Sequence, residues 1–189
     1  MNDESWYTFV TGEALLQGDI LPACPVATIA GPWSFPIDRS QIGFDVMEMN
    51  VIVMTQSCDL EHQKSDFVLL ARVNDWRTTV ATELEKGNSA IKSRDFRKKL
   101  IDGSIPGLSL LHKHDAEPKL DWSVVDFHRL FTLPKTFLEQ YAKSLGPRLR
   151  LRSPYREHLA QAFARYFMRV GLPHDAKAFE KEGDVPVTS

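Results

Sequence analysis

Apolar positions recur along this chain in two rhythms, one fitting strands and one fitting helices. Val51-Ile52-Val53-Met54 is an uninterrupted apolar run, which predicts a strand over 46–55 with both faces covered. Phe67 to Val73 predicts another strand. The connection between them is polar and carries no helix-length apolar pattern, so antiparallel pairing is expected. Ile20-Leu21 and Val26 to Ile29 predict two short strand pieces broken by Pro22 and Pro25. Leu108 to Leu111 gives a further strand, and Trp122 to Leu133 one long enough to bend or bulge.

The helical rhythm is strongest near the C-terminus. Leu138, Tyr141, Ala142 and Leu145 share a face behind Pro134, and Gly146-Pro147 ends that helix. A second amphipathic helix is predicted over 154–170, with Ser153 as N-cap, Pro154 in the first turn, and an apolar stripe of Tyr155, Leu159, Ala162, Phe163, Tyr166, Phe167 and Val170. Residues 74–103 are rich in charge and predict a solvated helical insertion. Glu13 to Gln17 predicts one helical turn, and the loop with Trp33 and Phe35 has the aromatic content of a lid or binding loop. A polar tail over 176–189 follows a single domain over 1–175 of α+β or mainly-β class.

Composition adds one asymmetry. Residues 1–66 carry ten acids against Arg39 and Lys64, a balance of −8, whereas between Lys143 and Arg169 seven bases face only Glu157. Either the basic stretch meets phosphate or an acidic partner, or the two halves pair internally. Arg148-Leu149-Arg150-Leu151-Arg152 alternates strictly, and as a strand it is expected to turn its leucines inward and its arginines outward. Met1 is followed by polar residues and the chain has only Cys24 and Cys58, so a reducing cytoplasm and no membrane association are expected.

The densest chemistry follows the apolar run. Thr55, Cys58, Asp59 and His62 are the candidate catalytic groups, Asp59 and His62 offering acid/base chemistry. Trp33, Gln56, Lys64, Arg148, Arg150, Arg152 and Arg156 are candidate binding contacts, the cations for phosphate or an acidic partner. Cys58 as a nucleophile needs a histidine, and His62, His112, His114 and His128 are all candidates. The other expectation is that Thr55, Ser57 and Asp59 merely turn the chain. Neither Cys58-Asp59-His62 nor His112-Lys113-His114 has the spacing of a closed metal site, so no metal or cofactor is expected.

Three stretches resemble the MazF/PemK group of SH3-like barrels, bacterial toxins that cleave RNA. Gln17-Gly18-Asp19-Ile20 resembles the start of that family's first strand, and Val51-Ile52-Val53-Met54-Thr55-Gln56 its third strand. Asp121-Trp122-Ser123-Val124-Val125-Asp126-Phe127-His128-Arg129-Leu130-Phe131-Thr132-Leu133-Pro134-Lys135 is similar to its late strand and helix start. The resemblance implies a small antiparallel barrel with the 74–103 insertion and C-terminal amphipathic helices added. It also implies a role in a bacterial toxin-antitoxin, defence or regulatory assembly, with single-stranded RNA or an operon-encoded protein as partner, and a homodimer. The family's catalytic arginine has no counterpart in Met47-Glu48-Met49-Asn50, and Ser65 is a loose match for its loop hydroxyl. Two functions follow: a binding module, or a metal-independent endoribonuclease with its acid/base site near Thr55 to His62.

Overall fold

Apolar alternation and the apolar run translate into an α+β structure. The computed structural model describes residues 5–31, 35–36, 42–62 and 64–168. Its strands are β1 (Tyr7–Val10), β2 (Ile20–Ile29), β3 (Phe44–Val53), β4 (Phe67–Asp75), β5 (Leu108–Leu111), β6 (Ser123–Pro134) and β7 (Arg148–Leu151). Its helices are α1 (Ser57–Glu61), α2 (Trp76–Glu85), α3 (Arg94–Ile101), α4 (Lys135–Leu145) and α5 (Tyr155–Phe167), with a 3-10 turn at Ser89–Lys92. The strands form a five-stranded antiparallel sheet in the order β2-β3-β4-β6-β5 and a two-stranded sheet of β1 and β7. Among the described residues the two sheets stay open and meet where Asp19 bridges to Arg150. No helix among the described residues is long and apolar enough to cross a membrane.

The run at 51–54 is buried on both faces, as its composition requires. Ile52 and Met54 enter a core with Tyr7, Val73, Val125, Phe127, Leu149 and Leu159, under β1, β7 and α5. Val51 and Val53 point the other way, into a core with Leu70, Leu138 and Ala142 under α4. Leu138 and Ala142 are the two buried residues of α4, which confirms its apolar face. Both C-terminal helices start one residue later than the proline signals indicate, with Pro134 and Pro154 in the cap positions. The ends of the 154–170 helix beyond Met168, and the tail, lie outside the described residues.

Three local expectations are corrected. The two strand pieces at 20–29 are one strand, because a register shift between Leu21 and Cys24 absorbs Pro22. Ala23 takes a positive φ of 49° there, and its N–H is satisfied by Asn50 Oδ1 at 3.0 Å. Glu13 to Gln17 does not form a helical turn; the segment bends and its Ala14 carbonyl accepts from Arg148 and Arg150 instead.

The third correction concerns the arginine row. Leu149 and Leu151 are buried as expected, but Arg148 is 1% exposed and Asp19 is 0% exposed. Arg148 Nε and Nη2 donate to Asp19 Oδ2 at 3.1 and 3.0 Å, and its other donors reach the Gly12 and Ala14 carbonyls at 2.7 and 2.6 Å. Arg150 closes on the same carboxylate through Nε and Nη2. The second face of β7 is therefore covered by the 12–19 segment, so alternation sends the arginines to a buried acid and not to solvent. Arg152, beyond the strand, is exposed. Gly18, with φ of 88°, lets this segment lie on β7, since a Cβ there would press on Leu151 at 3.0 Å.

Removing one partner from a buried ion pair strands the others. Asp19→Ala is expected to lose about 3–5 kcal/mol in a urea unfolding experiment, whereas Arg152→Ala should stay within about 0.5 kcal/mol of the parent.

Candidate functional site: a polar cleft under the helical insertion

The Thr55 to Lys64 cluster is held by structural bonds. Thr55 Oγ1 accepts from the Leu69 N–H at 2.7 Å, and Ser57 Oγ accepts from the Gln17 N–H at 3.3 Å. Ser57 to Glu61 forms α1, which places Gln56 at its cap position and His62 at its C-terminal end. Cys58 is exposed, with its sulfur 3.7 Å from Gln56 Oε1 and 3.8 Å from Asp59 Oδ1. Asp59 pairs loosely with Lys64 at 3.7 Å on the surface. Among the described residues none of His62, His112, His114 and His128 forms a hydrogen bond with the Cys58 sulfur. The structure thus brings Cys58, Asp59 and Lys64 together on an open surface, with the hydroxyls turned to backbone. Arg156 pairs with its neighbour Glu157 at 2.8 Å. Trp33 lies outside the described residues.

A better enclosed site lies on the sheet face that α4 leaves uncovered. Along β4, Val68 and Leu70 pack under α4, while Arg72 and Asn74, next in the same alternation, pass beyond it. Helix α2, none of whose residues is fully buried, lies over them. The space between is a cleft of about 550 Å³ lined among others by Arg72, Asn74, Thr79, Glu83, Asp126 and His128. That volume is in the range of ordinary ligand pockets.

The strand register explains how these side chains converge. Ala71 pairs with Leu130, but Arg72 pairs with Asp126, so Phe127, His128 and Arg129 form a wide bulge in β6. A bulge re-aims side chains at the point where pairing breaks. Phe127 drops into the core, and His128 and Arg129 reach the cleft rim. Asp126 Oδ1 accepts from the His128 backbone N–H at 3.0 Å and lies 2.9 Å from its Nδ1. A carboxylate accepts, so the tautomer that fits this contact carries its proton on Nδ1, and in that tautomer Nε2 is an acceptor. The ring sits edge-on to Tyr166 at 5.1 Å. It also lies directly against Gly107, where φ is 83° and any Cβ would collide with the imidazole.

Charge in the cleft is nearly balanced, with one cation left over. Lys86 pairs with Glu83 at 2.8 Å, and Arg129 is 4.0 Å from Asp126. The hydrogen bonds from Lys86 and then Asn88 hold the Glu83 carboxyl below its ordinary range, so that wall stays ionised. Arg72, half-buried in the cleft lining, has no ion-pair or hydrogen-bond partner among the described residues. A partly desolvated guanidinium with five unused donors is matched best by phosphate or carboxylate. The sequence signal for this was available: Arg72 is the one charged residue inside Phe67 to Val73.

Helix α2 is anchored by Asp75, whose Oδ1 accepts from the Thr78 N–H at 2.8 Å. Although desolvation opposes it, the sum of bonds from Thr78 and neighbouring N–H groups holds the Asp75 carboxyl below its ordinary value. A depressed folded-state value means the cap stabilises fully above the unfolded carboxyl's titration and is lost as pH falls through the folded one. The protection of α2 amides, taken against the intrinsic exchange rate at each pH, should therefore fall in that acid range, and Asp75→Ala should give the same loss of protection at neutral pH, costing about 1 kcal/mol. The thiols offer a separate check on burial. Burial raises Cys24 to about 11, so a maleimide should label Cys58 alone in the folded protein and both thiols after unfolding. Labelling of Cys24 at the native rate of Cys58 would contradict the packing of β2.

No family model matches this chain, and no curated protein matches it either, so its function is read from its own residues.

Proposed function

We propose that this chain is a binding module of the MazF/PemK-like small-barrel type that holds single-stranded RNA, and that the cleft under the insertion is where it does so. The observation that carries the reading is Arg72, a half-buried guanidinium with no side-chain partner among the described residues, in a ligand-sized polar cleft. Phosphodiester is an anion with the geometry for it, and Asn74, Thr78, Thr79 and Asn88 supply neutral donors and acceptors around it. The barrel-like arrangement is supported by the bridge from Asp19 to Arg150, which folds the β1-β7 pair against the first strand of the larger sheet around one core. Of the C-terminal arginines, Arg148 and Arg150 are spent on Asp19 and Arg156 is paired with Glu157, which takes those three away from an RNA surface.

One observation favours a second reading, a metal-independent endoribonuclease. The Asp126–His128 pair has the geometry of an oriented general base, with Nε2 free to take the proton of a 2'-hydroxyl. Attack on phosphorus would then break the bond to the 5'-oxygen, which leaves with a proton from water, with Arg72 beside the phosphorane charge. In this reading the acid/base site moves from Asp59 and His62 to His128.

Fluorescence anisotropy with labelled single-stranded RNA tests the binding reading. Arg72→Ala is expected to weaken binding roughly ten- to a hundredfold, from a lost charged hydrogen bond of about 1.5–3 kcal/mol, and to lower the salt slope by about 1. Arg152→Ala and Asp59→Ala should leave it unchanged. An RNA affinity insensitive to Arg72 would contradict the assignment. Incubation of RNA in EDTA decides the second reading: cleavage lost in His128→Asn supports it, and intact RNA removes it.

A further inference from the structure

The sheet face that carries Arg72 continues past the polar cleft into an apolar one. Along β4 and β6 the alternation that presents Arg72 and Asp126 presents Asn74 and Val124 next, and just past the last ladder pair, Asp75 with Ser123, come Trp76, the first residue of α2, and Trp122. The Trp76 N–H donates to the Trp122 carbonyl at 2.7 Å, which fixes the two residues side by side. Around them Leu100, Ile101, Leu110 and Arg97 complete a cavity of about 230 Å³. That is on the scale of one planar ring system, smaller than a drug-sized pocket. Its mouth is open: Ile101 is 70% exposed and Trp122 is 40% exposed.

We infer that this tryptophan-lined pocket is a nucleobase subsite, filled by an unstacked base of the same strand whose phosphate sits on Arg72. The inference rests on the RNA reading of the cleft. Three features favour a base as the occupant. The pocket shares a sheet face and an insertion roof with the cleft, so one extended chain crosses both. Its walls are indole and aliphatic, which suits a π-face and offers no hydrogen-bond code. Arg97, with Nη1 tied to the Lys92 carbonyl at 2.8 Å, puts a fixed cation at the rim beside the strand.

The test compares a single-stranded RNA with an abasic phosphodiester of equal length, titrated into the full chain. The parent should prefer the base-bearing strand by about tenfold or more. Trp122→Leu should erase that preference and Trp122→Phe should retain most of it, whereas Arg72→Ala should weaken both ligands alike. Ile101→Glu, at an exposed position whose change spares the core, should also lower the preference by placing an acid at the mouth; it carries the test if Trp122→Leu fails to fold. Equal binding of both strands by the parent overturns the base subsite and leaves the RNA reading standing. A preference that survives both Trp122→Leu and Ile101→Glu places the base elsewhere and overturns it too. Binding of neither strand overturns both.

Discussion

The carboxylate of Asp19 is the point on which the two sheets depend. Fully buried, it is surrounded by the guanidinium groups of Arg148 and Arg150 and by the Leu16 N–H at 3.4 Å. Its backbone serves the same junction, with its carbonyl accepting from Val53 at 2.9 Å. Gly18 beside it donates to Val53 and accepts from Leu151 at 2.9 and 3.0 Å. Charges taken out of water persist only when they are paired and hydrogen-bonded, and here Arg148 adds bonds to the Gly12 and Ala14 carbonyls to its two on Asp19. One acid thereby fixes the N-terminal segment, β7 and the end of β3 together.

That junction also decides where function is to be sought. With Arg148 and Arg150 spent on Asp19, the Thr55 to Lys64 cluster remains a surface turn with a loose Asp59–Lys64 pair, and Lys135 at its edge donates to the Leu60 carbonyl at 2.8 Å. Arg72 sits where the α4-covered half of the sheet gives way to the insertion, and the β6 bulge delivers His128 and Arg129 to the same place. The insertion is thus the roof of a site rather than an appendage.

Much of the fold was legible in the chain. The apolar run at 51–54, the face of α4 and the stripe of α5 follow from periodicities of two and 3.6 residues, which burial enforces directly. The arginine row was legible as a strand, but not in its direction. Alternation separates two faces without saying which one meets water, and that was settled by residues 12–19, more than a hundred positions away. The reactive cluster is visible in the sequence because its residues are adjacent; the cleft is not, because β4, α2 and β6 contribute to it from separate stretches. Its local traces were Arg72 within an apolar strand, and Asp126 with His128 two residues on.

Mapping amide chemical shifts of the labelled protein during titration with a short single-stranded RNA tests the location most directly. Perturbations should concentrate at Arg72, Asn74, Thr78, Thr79, Asp126 and His128, and leave Gln56 to His62 and Arg148 to Arg152 in place. Shifts centred on Cys58, Asp59 and His62, with the cleft amides unmoved, would contradict the assignment of the site.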